Sequence, residues 1–127
     1  MRSLVASSLC VLLIFAAWIT FSNFADQTLH QLMTLTDDQL LTTVVAEDWT
    51  EAKTNMDHFT EKWHDYKVIY SFFLNTEDIN NTDYAIARST QYIKAQDVSN
   101  AAGELACIKE QLKFLHLKET LSLENIF

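Results

Sequence analysis

D-W-T-E-A-K-T-N-M-D-H-F-T-E-K-W-H-D-Y-K, residues 48–67, is the stretch whose reading decides the fold. Its apolar residues and those just beyond it fall at Trp49, Ala52, Met56, Phe59, Trp63, Tyr66, Tyr70 and Phe73, spaced alternately by three and four. Side chains at that period share one stripe of an α-helix, so the segment is a helix packed along a seam. Asp48 stands where an N-cap carboxylate accepts from the first free amides, with Glu51 placed to return the bond.

The same spacing recurs between Asp97 and Leu117, at Val98, Ala101, Leu105, Ile108, Leu112 and Leu115, with Asp97 as the expected cap. The two starts rhyme, A-E-D-W-T-E-A at 46–52 and A-Q-D-V-S-N-A at 95–101, which raises the idea of two similar helical hairpins. Between them Thr82 to Ala95 reads as a third helix, with Ile86 and Ile93 on one face. Leu29 to Val45 reads as a fourth, carrying Leu32, Met33, Leu40 and Val44. It is expected to continue from the N-terminal segment with a break near T-D-D-Q, where Thr36 and Gln39 offer a second cap. N-T-E-D-I-N-N-T, 75–82, reads as the longest polar loop and holds a glycosylation acceptor pattern at Asn80.

Composition agrees with an all-α chain. There is no Pro, and Gly103 is the single Gly among 127 residues. A β-sandwich or barrel needs turn residues throughout, and a nucleotide fold needs a Gly-rich phosphate loop. The formal charge of −8 argues against nucleic acid, whose binding rests on neutralising phosphates.

Ser3 to Ala25 carry no charged side chain. As a helix they span roughly 34 Å, enough for a hydrocarbon core of about 30 Å. Arg2 precedes the run, whereas Asp26, Asp37, Asp38, Glu47, Asp48 and Glu51 follow it before the first cation, Lys53. That asymmetry places the N-terminus in the cytoplasm and the rest outside. Residues 1–25 are therefore read as an uncleaved signal-anchor of the cytoplasmic membrane and 26–127 as an exported domain. The rival is a signal peptide cut after Ser22, which lacks a clear A-x-A site. Cys10 and Cys107 fall on opposite sides of this boundary and cannot pair; Cys107 reads as a buried, inert thiol.

The chain ends T-L-S-L-E-N-I-F, 120–127. Leu121, Leu123, Ile126 and Phe127 read as a short extended tail clamped over a flank near Met56, Phe59 and Ile108, with gross burial worth roughly 6–10 kcal/mol. This tail, the W-x13-W of Trp49 and Trp63, and E-D-I-N-N-T-D-Y-A-I-A-R at 77–88 resemble the domain of unknown function 4363 family. The resemblance covers nearly the whole chain. It implies a short, membrane-anchored helical protein of spore-forming Gram-positive bacteria and no assigned activity. Family members commonly carry a His before the acidic motif, where this chain reads L-N-T-E.

Chemistry is sparse. Glu61 and His64 form one E-x-x-H pair, but a bundle di-iron site takes two such pairs and further carboxylates. No metal or cofactor is expected on that ground. His30, His58, His64 and His116 are scattered, and Asp57, His58, Glu61 and Asp65 read as a solvated face. There is no G-x-S-x-G and no phosphate loop. The expectation is a non-enzymatic, membrane-tethered interaction or accessory module with a protein partner. The alternative is a small ligand-binding or sensing bundle with a pocket near Trp63 and Tyr66, for which Thr82 and Ser89 are the polar residues inside the seam.

Overall fold

A computed structural model describes residues 1–126, with side chains through Leu121. The described residues form four helices: α1 (Arg2–Val45), α2 (Trp49–Tyr70), α3 (Thr76–Lys94) and α4 (Val98–Ile126). They run up and down around a ring, with α1 beside α2 and α4, and α3 beside α2 and α4. No strand occurs among the described residues. The core is a column of seam residues, including Leu29, Leu32, Met56, Phe59, Trp63, Ile93, Leu105, Ile108 and Leu112, each almost wholly excluded from solvent. Burying such stripes against one another is what a one-sided helix requires.

The two rhyming sequences build the same turn. At the first, Glu47 takes φ 57° and its amide bonds to the Val44 carbonyl, while Asp48 N–H reaches back to Thr43 at 3.0 Å. At the second, Gln96 takes φ 57°, its amide bonds to Ile93, and Asp97 N–H reaches Tyr92 at 3.0 Å. Each is a left-handed helix stop whose backward bonds satisfy the last carbonyls. The aspartate then caps the next helix, Asp48 accepting from Glu51 N–H and Asp97 from Asn100 N–H. Two hairpins, α1–α2 and α3–α4, thus share one design.

They differ at one point. Buried positions on α3 run Ile79, Thr82, Ile86, Ser89 and Ile93, alternating three and four. On α1 they run Leu29, Leu32, Thr36, Leu40 and Val44, with three successive steps of four. In a regular helix those steps would carry Val44 about 120° away from Leu32. Instead Thr36–Leu41 forms a π-helical turn, whose wider circuit holds one extra residue and returns Leu40 and Val44 to the core. The expected break and second cap at T-D-D-Q are therefore corrected. Thr36 donates its hydroxyl to the Leu32 carbonyl at 2.9 Å, and the helix continues.

Three further expectations change. The 75–82 segment is the start of α3, because Asn75 accepts from Glu77 N–H at 2.8 Å and Glu77 and Asp78 suit the positive helix end. Ile79 then opens the buried stripe, and Asn80 lies exposed on a helix. Cys107 is exposed, since it sits between Leu105 and Ile108 and is rotated off the face both occupy. Finally, the chain beyond Thr120 continues α4 to Ile126 as helix, not as an extended tail. Met56, Phe59 and Ile108 are already covered by the four helices, so they leave no open flank to clamp. Leu121 is half exposed; the side chains of Leu123 and Ile126, and Phe127, lie outside the described residues.

Candidate functional site

The first half of α1 stands clear of the bundle. Every residue from Met1 to Ala17 is exposed, and core packing begins at Phe21 and Ala25. This helix is long and apolar enough to cross a membrane. The boundary drawn at 25/26 falls inside one unbroken helix. At the bundle end from which it projects, the α2–α3 linker packs on it: Phe73 stacks on Phe21 with ring centroids 4.0 Å apart and meets Trp18 edge-on at 5.7 Å. Phe72, next in the linker, is 78 % exposed.

Polar links tie α2 to α1 and α3. The Tyr70 hydroxyl is hydrogen-bonded to that of Thr28, and burial of Tyr70 raises its pKa above the usual phenol value. Tyr66 donates to Gln31 Oε1 at 2.7 Å. The indole N–H of Trp63, wholly buried, donates to Asp83 Oδ1 at 2.6 Å, and Lys67 Nζ holds the other carboxylate oxygen at 2.9 Å. Trp63 and Tyr66 are thus bound into packing contacts with Tyr70, at 5.9 and 6.4 Å between ring centroids. Thr82 and Ser89 are fully buried in the seam, and the Thr82 hydroxyl is used by the Asp78 carbonyl.

A second cluster forms where α4 lies antiparallel to α1. Glu119, nearly excluded from solvent, accepts from Ser22 at 2.5 Å; one turn further along, His116 Nε2 is 2.6 Å from Asp26 Oδ1. Asp26 and His30 are one turn apart on α1, so both point at the same strip of α4, and the His30 and His116 rings are 5.4 Å apart. One donor atom from each of Asp26, His30 and His116 lies within 4.8 Å of the others. The hydrogen bond from His116, and then the charges of His116 and His30, hold the Asp26 carboxyl below the usual carboxylate range. The sequence separates Asp26 from His116 by 90 positions, and no local motif joins them. Glu61 and His64, the pair that sequence spacing singles out, are exposed on α2.

A four-helix up-and-down bundle extended at one end by an apolar helix is the class this geometry defines. A family model described as domain of unknown function 4363 (DUF4363) matches residues 20–126, and the chain belongs to that family. No curated protein and no solved structure gives a significant match.

Proposed function

We propose that this protein is a single-span membrane module, with its N-terminus in the cytoplasm and its bundle on the outer face of the cytoplasmic membrane, that acts through a protein partner and not by catalysis. The observation that carries the reading is the charge-free run of α1 that starts at Ser3, exposed through Ala17 and continuous with a bundle that has its own buried core. A water-facing protein rarely leaves so long an apolar stripe uncovered. Trp18, Phe21 and Phe73 pack together where the apolar helix meets the bundle, with Phe72 exposed beside them, and rings of this kind favour a membrane interface. The lone Arg2 on one side and the acidic run on the other support the orientation.

The ligand-sensing alternative gains little from the interior, because Trp63 is held by Asp83 and packed against Tyr70. Carbonate washing of native membranes, followed by protease treatment of intact spheroplasts, tests the proposal. The full-length chain should stay in the pellet and lose its bundle to external protease. A mature N-terminus near Asn23, or recovery in the medium, overturns it. A biotin-ligase fusion at the C-terminus of the anchored chain should then mark a reproducible membrane neighbour.

A further inference from the structure

We propose that Asp26, His30 and His116 form a binding site for a divalent transition-metal ion. Among the described residues this is the place where three such donors converge, and they come from two different helices. Two imidazoles and one carboxylate suit borderline ions such as zinc, cobalt, nickel or ferrous iron, and do not suit calcium or magnesium, which take oxygen donors. A metal about 2.1 Å from each donor brings the donors to about 3.4 Å from one another in a tetrahedral site. Reaching that geometry from the present 4.8 Å envelope asks for side-chain rotation at Asp26 and His30, which are exposed, and at His116, which is partly buried. Asp26 and His116 come closer than two ligands of one ion would, so a metal would take the place of the hydrogen bond between them and displace its proton.

The helices supply the rigidity. His116 is bracketed by buried Leu115 and Glu119 on α4, and Asp26 and His30 follow buried Ala25 and Leu29 on α1. Core packing therefore fixes the two stretches of helix that carry the ligands, and leaves the ligand side chains to adjust. Three protein donors leave a coordination position open to water, or to a group brought by a partner. The competing account is a plain surface ion pair between Asp26 and His116 with His30 as a bystander; it predicts no metal affinity. The site does not depend on which way the chain crosses a membrane.

The test is zinc alone, added to the full-length chain in detergent micelles and followed by equilibrium dialysis, with cobalt absorption as a second readout of the ligand set. One equivalent should bind. His30→Ala and His116→Ala should each weaken binding at least about tenfold, the loss that even an outer-shell partner causes, with the helical circular dichroism unchanged. His64→Ala should bind as the wild type does. His30 is exposed, so its variant keeps the test open should His116→Ala disturb packing. A wild-type chain that retains no zinc overturns the proposal. So does binding that survives both variants, or that falls with His64→Ala instead.

Discussion

The indole nitrogen of Trp63 donates to Asp83 across the α2–α3 interface at 2.6 Å, and the same carboxylate takes Lys67 at 2.9 Å. The two bonds are unequal in worth. Trp63 has no access to water, whereas the Lys67 and Asp83 side chains are 30 % and 25 % exposed. Asp83→Ala strands a buried donor and should cost about 1–3 kcal/mol. Lys67→Ala removes a partly solvated charge and should cost about 0–1 kcal/mol. Thermal melts of the two variants, ranked by midpoint, check this; equal midpoints would mean the indole finds another acceptor.

The π turn in α1 makes a sharper prediction. Because Thr36–Leu41 holds one residue more than a regular helix, deleting exposed Asp38 should convert it to α-helix. Buried positions would then run three, four, three, four, as they do on α3 from Ile79 to Ile93. The deletion should leave the melting midpoint within a few degrees. Deleting Thr60 from the middle of α2 should unfold the protein, since it turns every later seam residue, Trp63 and Tyr70 included, by about 100°. Circular dichroism of both deletions decides it.

The α2 and α4 helices were legible because their seams alternate cleanly and each opens on an aspartate. Family membership was legible too, from the motifs at 77–88 and 121–127. The π turn was not, because a run of fours on α1 looks like a loosely patterned helix until its partner is seen. The start of α3 was hidden by a polar first turn, in which Ile79 is the sole apolar residue between Thr76 and Thr82. Asp26, His30 and His116 could not be joined from spacing at all. Their proximity depends on α4 returning antiparallel along α1, a property of the bundle and not of either segment.

Glycine exchanges should work in opposite directions along this chain. Gly103 lies exposed within α4, and a Cβ added there meets nothing within 4 Å. Gly103→Ala should raise stability by about 0.5–1 kcal/mol, since it reduces the freedom of the unfolded chain. Glu47 and Gln96 hold the left-handed positions of the two hairpin turns, where a side chain is strained. Glu47→Gly and Gln96→Gly should each stabilise by up to about 1 kcal/mol. Denaturant midpoints measure all three, and a loss in either turn variant would show that its side chain makes an offsetting contact.

Phe72 tests the membrane reading from within the bundle. It is 78 % exposed, while its neighbour Phe73 is stacked on Phe21 at the base of the apolar helix. If the bundle rests on the bilayer by this end, Phe72 sits among the headgroups although it belongs to the α2–α3 linker and not to the anchor. Phe72→Trp in the full-length protein, reconstituted into vesicles, should add emission that shallowly brominated lipids quench. Phe72→Asp should change the melting midpoint in detergent very little, because an exposed substitution stays within about 0.5 kcal/mol. Phe73→Ala should lower it clearly, since it removes an aromatic pair worth about 0.5–1.5 kcal/mol beyond its buried area. An added emission untouched by brominated lipid would mean that the bundle stands away from the surface, with the anchor as its only membrane contact.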